Sequence, residues 1–178
     1  MDERVGRWEI AGLILTLLAG NLLHFVYEWS GRSPVAAAFA AVNESTWEHM
    51  KLLAVPWILW TLVEVLALGK DGVALLPGRG LGLLAGLAAI PALFYTYRGV
   101  TGQNFHMVNI LIFQVAVLLA FAVSGRIRKS GRLQGRGWQF LGAAILLCVG
   151  ALFLRWTYHT PELPLFVDGR TGQAGIPK

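Results

Sequence analysis

The sequence predicts an all-α fold, an integral membrane bundle of five transmembrane helices. Three observations predict it. Hydrophobic residues make up 56% of the 178-residue chain, and the mean hydropathy is +0.58. Charged residues make up only 14%, against about 25% in a typical soluble domain. The apolar residues also gather in five stretches that approach the roughly 20 residues needed to cross a bilayer as a helix. These stretches are residues 8–28, 47–68, 81–97, 105–123 and 138–158.

Short connectors separate the predicted spans. After the first span the chain breaks at residues 30–34, and residues 35–42 are expected to form a short interfacial helix. The remaining connectors are rich in glycine, proline or basic residues. The second connector is bracketed by residues 70–72 and 77–80, the third is formed by residues 99–104 and the fourth by residues 125–136. This pattern divides the chain into a transmembrane domain, residues 1–159, and a Pro/Gly-rich extracytoplasmic tail, residues 160–178, that packs over the mouth of the bundle.

Lysine and arginine are distributed unequally between the two sides of the predicted bundle. The side with the N-terminus and the 125–136 loop holds nine of them, and the other side holds six. The positive-inside rule therefore places the N-terminus in the cytoplasm and the C-terminus outside, in a multi-pass protein of the cytoplasmic (inner) membrane. The net charge of +5 is explained by this topology, and we expect no nucleic-acid partner.

The third predicted span carries a G-x-x-x-G pattern at Gly82 and Gly86. Small residues at this spacing let two helices approach closely. The pattern predicts either a homo-oligomer that associates through the Gly82/Gly86 face or close packing inside the bundle.

Four histidines collect at one predicted end of the bundle. His24 ends the first span, His49 begins the second, His106 begins the fourth and His159 closes the fifth. Asn21, His24 and Glu28 also recur at i, i+3 and i+7, so they share one face of an otherwise apolar helix. Ionisable residues inside a membrane usually face a bundle interior or an aqueous cavity and are functional-site candidates.

Such a set of side chains suits Zn²⁺, which commonly takes three His, Asp or Glu ligands in catalytic sites and keeps water in the fourth position. We predict His24, His49 and His106 as the metal ligands. Glu28 or Glu48 is expected to take a proton from the activated water. The remaining catalytic candidates, which would stabilise negative charge on a carbonyl or phosphoryl oxygen, are Lys51, Tyr95 and Arg98.

Simpler roles remain open for several of these residues. Ser45-x-x-Glu48 fits a capping box, in which Glu48 only satisfies backbone N–H groups. Lys51 and Arg98 could extend to lipid headgroups. His24 and Glu28 could form a structural hydrogen bond, and His159 has the setting of an interfacial residue.

Three blocks carry a resemblance to a known family: HFVYEWSG at residues 24–31, VNESTWEHMKL at 42–52 and HTPELPLFVDGRTGQAGIP at 159–177. The chain resembles an uncharacterised family of small, mostly bacterial, polytopic membrane proteins, classed as a domain of unknown function. The resemblance spans nearly the whole chain and implies a single membrane domain with this span pattern. It implies no activity, cofactor or catalytic residue.

Function must therefore be predicted from the polar residues. The leading hypothesis is a metal-dependent hydrolase or transferase that acts on a lipid or small molecule. Membrane lipids are its expected partners. A non-catalytic ligand-binding or sensing protein would use the same pocket. A small-solute or ion transporter would need deeper polar groups near the midplane, where the sequence offers only Asn21, Gln114 and Glu64.

Overall fold

The computed structural model describes residues 3–177, and within them it is helical, with one isolated β-bridge. Five of its helices are long and apolar enough to cross a membrane. The predicted all-α fold with five spans is therefore confirmed, and the protein is of the multi-pass membrane type. The helices are α1 Glu3–Trp29, α2 Pro34–Ala37, α3 Thr46–Leu68, α4 Lys70–Thr101, α5 His106–Ser130 and α6 Arg136–Tyr158, followed by a short 3-10 helix, Pro164–Phe166.

Helix α4 lies at the centre of the bundle, packed against α3, α5 and α6, and α1 packs against α3 and α5. The core between these helices is apolar and fully buried at residues such as Leu53, Leu83 and Val117. Large apolar side chains also cover the outside of the long helices, as expected where lipid rather than water is the solvent. Examples are Ile10, Leu18 and Leu22 on α1, Leu111 and Leu118 on α5, and Phe140 and Leu147 on α6.

The G-x-x-x-G pattern lies inside the bundle. A Cβ added to Gly82 would stand 2.6 Å from the Ala120 carbonyl oxygen of α5, and one added to Gly86 would stand 2.7 Å from Leu53 Cδ2 of α3. Both glycines are buried. The face that carries them therefore serves the close approach of α4 to α5 and α3.

The connector between the second and third spans is much shorter than the sequence predicts, so the predicted bounds are wrong. Helix α3 ends at Leu68 and α4 begins at Lys70, with only Gly69 between them at φ 57°. Glycine adopts positive φ without steric cost, so one residue suffices for the turn. Residues 70–80, which look like loop because of their Gly, Pro and charged residues, continue as the first turns of α4.

This longer helix carries Arg79 into the bundle, where its side chain is 1% exposed. Its guanidinium donates to both oxygens of Glu64, from Nε at 2.8 Å and from Nη2 at 2.5 Å. The guanidinium also lies over the rings of Trp57 and Phe121. Arg79 is therefore a structural cation of the core and not an interfacial one.

One end of the bundle, which we name the histidine end, carries the C-termini of α1, α4 and α6 and the N-termini of α3 and α5. The predicted short helix at residues 35–42 is reduced to the single turn of α2. The chain after α6 folds back over this end. There Phe166 is buried against Trp47 and Trp156, with ring centroids 4.7 and 5.6 Å away.

Candidate functional site

Three side chains from separate segments converge at the histidine end. His24 Nε2 of α1 lies 3.4 Å from Oε1 of Glu44, and His49 Nε2 of α3 lies 3.7 Å from Oε2 of the same carboxylate. One ligand atom from each of the three residues lies within 4.8 Å of the other two. We call these three residues the His/Glu cluster.

The start of α3 fixes the orientation of His49. Ser45 is the N-cap, and its hydroxyl accepts a hydrogen bond from the backbone N–H of Glu48 at 3.3 Å. His49 Nδ1 lies 2.9 Å from the carbonyl oxygen of Ser45. Because a carbonyl can only accept, Nδ1 carries the proton, and in the neutral ring Nε2 keeps its lone pair. This outer hydrogen bond is the arrangement that metal-binding histidines usually show.

Glu44 lies in the connector before α3, outside the spanning helices. The hydrogen bond with His24 lowers the pKa of Glu44 to about 2, helped by the charges of His24, His49 and Arg170 and opposed by partial burial. Glu44 is therefore an ionised carboxylate at neutral pH, which is the form that can ligate a metal.

His106 lies beside the cluster without entering it. Its ring centroid is 6.2 Å from that of His24, against 5.5 Å between His24 and His49. The residue is exposed at the first position of α5. The structure therefore brings His24 and His49 together, and it places Glu44 nearer to them than the third predicted ligand.

Glu28 lies one helical turn beyond His24 on α1, and its carboxylate pairs with Arg32 at 3.2 Å rather than with His24. Both side chains are more than half exposed. Together with His24 and Glu44 they line a cleft of about 400 Å³, which also borders Asp168 and Arg170. We call this space the first cleft. Glu28 thus faces the same space as His24 and Glu44, two of the three residues of the His/Glu cluster.

Glu48 and Lys51 form a buried ion pair on α3. Lys51 Nζ lies 2.6 Å from Glu48 Oε2, and the Lys51 side chain is 0% exposed. Lys51 Nζ also donates to the carbonyl oxygens of Ala37 and Ala40, and Glu48 accepts from the backbone N–H of Val42. Their polar atoms are directed at each other and at the connector of residues 37–42, which they hold against α3.

Tyr95 and Arg98 lie near the C-terminus of α4 and line a second cleft of about 700 Å³. Glu44 and Asp168 line this second cleft as well as the first. The two predicted catalytic residues therefore line a different cleft, which shares Glu44 and Asp168 with the first. Arg98 lies 5.8 Å from the Phe94 ring centroid.

His159 lies at the same end of the bundle but apart from the cluster. It follows α6 as its C-cap, is exposed, and donates its backbone N–H to the Arg155 carbonyl oxygen at 3.0 Å. The other three histidines line a small apolar pocket of about 60 Å³, together with Asn109, Leu52 and Phe113.

Sequence reasoning missed two residues of this region, Glu44 and Asp168. Glu44 lies in the NESTWEH block, where the capping pattern draws attention to Ser45 and Glu48 instead. Asp168 lies in the tail, 124 residues further along the chain, yet its Oδ2 accepts a hydrogen bond from the Glu44 backbone N–H at 3.4 Å. The signal that was available is the occurrence of both residues in the two blocks that carry the family resemblance.

The fold and the cluster define a class: a helical multi-pass membrane protein with a His/Glu cluster at one end of its bundle. More particularly, the chain belongs to DUF6512, a family of unknown function, which it matches over residues 2–176. The predicted resemblance to a domain of unknown function is confirmed. No curated protein and no solved structure matches the chain.

Proposed function

We propose that this protein is a membrane metalloenzyme, a hydrolase or transferase acting on a lipid or small molecule, whose metal is held by His24, Glu44 and His49. The observation that carries the proposal is the convergence of these three side chains from α1, the connector and α3 within 4.8 Å. Two histidines and one glutamate are a common ligand set of catalytic zinc, which leaves the fourth position open.

The spacing of the cluster suits Zn²⁺. Ligand atoms around a tetrahedral ion with bonds of about 2.0–2.1 Å lie about 3.3 Å from one another. The two His–Glu separations are 3.4 and 3.7 Å. These separations go to the two different oxygens of Glu44, and one ligand atom from each of the three residues lies within 4.8 Å of the other two. The ligand atoms would therefore move closer together when they bind the ion.

When bound, Zn²⁺ supplies Lewis-acid chemistry and activates water near neutral pH. The residues of the first cleft then have separate roles. Glu28, 60% exposed at the cleft, takes a proton. Arg170, 75% exposed at the same cleft, stabilises negative charge on a substrate oxygen. His106 does not line this cleft and borders instead the small pocket that also contains His24 and His49.

The positive-inside rule supports an extracytoplasmic location for the histidine end. Arg79 on one side and Lys51 on the other are both buried in ion pairs, so without them the count of nine basic residues against six becomes eight against five. The five basic residues predicted for the 125–136 loop stay at the end opposite the histidine end, although Arg126, Arg128 and Lys129 lie in the last turns of α5, Arg136 begins α6, and only Arg132 lies in the connector. The proposal therefore places the site at the outer leaflet of the cytoplasmic membrane.

Elemental analysis of the detergent-purified protein after exposure to Zn²⁺ tests the proposal. The unaltered protein is expected to retain about one Zn²⁺ per chain, and His24→Ala, His49→Ala and Glu44→Gln are expected to lose it. His159→Ala is the matched control, because it removes an exposed histidine from the same end of the bundle. Retention of the metal by the three cluster variants, or no Zn²⁺ in the unaltered protein, would overturn the proposal.

A non-catalytic binding or sensing protein would use the same cluster and would differ only in lacking turnover. Transport is less well supported by the contacts. The deep carboxylate of Glu64 is paired with Arg79, and Asn21 donates its side-chain amide to the Leu17 carbonyl oxygen of its own helix. These polar groups serve packing rather than a path across the bundle.

A further inference from the structure

We infer that the segment after α6 is a working part of the metal site, in which Asp168 is a positioning residue that holds the backbone of Glu44 in place for the ion. The inference rests on the proposed function, since it concerns the same His/Glu cluster. It assigns a role to a residue that touches neither histidine.

The first step of the argument is the setting of Asp168 itself. Its side chain is buried, with 6% of the residue exposed. One carboxylate oxygen, Oδ1, accepts from the backbone N–H groups of Arg170 and Thr171 at 2.7 and 3.4 Å. The other, Oδ2, accepts from the Glu44 backbone N–H. The carboxylate therefore organises a tight turn in the tail and joins that turn to the connector before α3.

Two further contacts join the same segments. Asn43 donates its side-chain amide to the Gly175 carbonyl oxygen at 2.8 Å, while its own Oδ1 accepts from the Ser45 backbone N–H. Arg170 Nη1 lies 3.9 Å from Glu44 Oε1. Each residue of the Asn43–Glu44–Ser45 run is thus held by a hydrogen bond, and two of the three are held by the tail.

The tail can hold Glu44 because it is itself anchored. Phe166 is 2% exposed and packs on Trp47 and Trp156. A β-bridge between Val167 and Ala174 closes the loop that contains Asp168, and the Asp168 backbone N–H donates to the Gln173 carbonyl oxygen at 2.8 Å. The aromatic cluster thus fixes the tail on the bundle, and the turn is built on that anchor.

Glu44 needs such support more than the histidines do. His24 and His49 project from long helices, whereas Glu44 lies in a connector without regular structure between α2 and α3. A ligand on an unsupported loop loses binding energy to the entropy of ordering. Outer contacts that orient metal ligands are typically worth about 10–100-fold in metal affinity.

Zn²⁺ affinity measured by competition with a chelator tests the role of Asp168. In Asp168→Asn one carboxylate oxygen becomes an NH₂ group, so in either orientation a donor faces backbone N–H donors. We expect Zn²⁺ to bind about 10–100-fold more weakly to this variant. Glu162→Gln is the matched control, because it neutralises an exposed carboxylate in the same tail, and its affinity is expected to stay within about twofold.

A second measurement uses the unaltered protein and does not depend on the folding of a variant. Because coupling between two sites is reciprocal, Zn²⁺ bound at Glu44 should hold the tail more firmly. Trypsin cleavage after the exposed Arg170 is therefore expected to slow about tenfold with Zn²⁺. Cleavage after the exposed Arg132, in the connector between α5 and α6 at the opposite end, is the internal control and should not change.

The outcomes separate the two proposals. If the unaltered protein binds no Zn²⁺, the proposed function fails and this inference fails with it. If it binds Zn²⁺ but Asp168→Asn binds equally well, or Arg170 is cleaved at the same rate with and without the ion, the proposed function stands and the role of Asp168 is overturned.

Discussion

Arg79 reaches back across the α3–α4 turn to pair with Glu64 inside the bundle, and both side chains are almost fully buried. Arg79 makes two further polar contacts with its neighbours. The backbone carbonyl oxygen of Arg79 accepts from Trp57 Nε1 at 3.0 Å, and its Nη1 lies 3.4 Å from the Ser124 hydroxyl of α5. Three helices are therefore joined through one cation.

Arg79→Met is expected to destabilise the bundle strongly, because it leaves the Glu64 carboxylate buried without a partner. Breaking a buried pair in this way costs about 3–5 kcal/mol. The free energy of unfolding in mixed detergent, followed by circular dichroism, measures the loss. Arg132→Met, in the exposed loop before α6, is the control and should change it by less than about 0.5 kcal/mol. Equal stability of the two variants would contradict the structural role of Arg79.

His106→Ala distinguishes the two candidate sets of metal ligands. Both contain His24 and His49, but the sequence predicts His106 as the third ligand whereas the contacts favour Glu44. The His106 ring lies beside the cluster and is exposed, so we expect Zn²⁺ affinity to fall by no more than about tenfold. His49→Ala, which removes a ligand, should lower it by more than about 100-fold. Chelator competition measures both. Equal losses in the two variants would restore the three-histidine site.

Lys51→Met tests whether the Glu48–Lys51 pair is structural or catalytic. The substitution leaves Glu48 buried and unpaired and frees the connector of residues 37–42. We expect the free energy of unfolding to fall by about 3 kcal/mol or more. Lys70→Met, exposed at the start of α4, is the control. Unchanged stability together with lost turnover would instead support the catalytic role predicted for Lys51.

Gly82→Ala tests the role of the G-x-x-x-G pattern. The added methyl group meets the Ala120 carbonyl oxygen, and such overpacking typically costs about 1–3 kcal/mol. Gly99→Ala lies in the same helix with nothing within 4 Å of the added group, so it should stabilise α4 by about 0.5–1 kcal/mol. The two changes are compared by thermal unfolding and by size-exclusion chromatography. A change of oligomeric state without loss of stability in Gly82→Ala would favour the dimerisation face.

The spans were predictable because a bilayer allows few backbone structures, so an apolar stretch near 20 residues must be a helix. Alternation of the spans then placed four histidines at one end without any knowledge of packing. The α3–α4 turn was not predictable in the same way. Charge and Gly/Pro content usually mark connectors, but here Arg79 is neutralised by Glu64 and is carried inside a helix.

The histidines of the site were predictable, but their carboxylate partner was not. Helical periodicity says which residues share a face, and it has no counterpart in the connector that contains Glu44. The contact of Glu44 with Asp168 joins residues 124 positions apart, and no local pattern encodes such a pairing. The NESTWEH run at residues 43–49 carries part of the family resemblance, but only the folded structure shows that its first glutamate faces the histidines.

The distance along the chain between Asp168 and Glu44 also sets an order of assembly. During synthesis the α1–α3 hairpin can insert and bring its two imidazoles together early, since these residues are separated by a short stretch of chain. The carboxylate arm of the cluster reaches its final hydrogen bonds only after α6 has been inserted and the following residues have folded back over the bundle. The cluster thus reaches its final arrangement only after the segment that follows α6 has been made, and a ribosome-stalled intermediate that ends within α6 would hold its histidines without a fixed acidic partner.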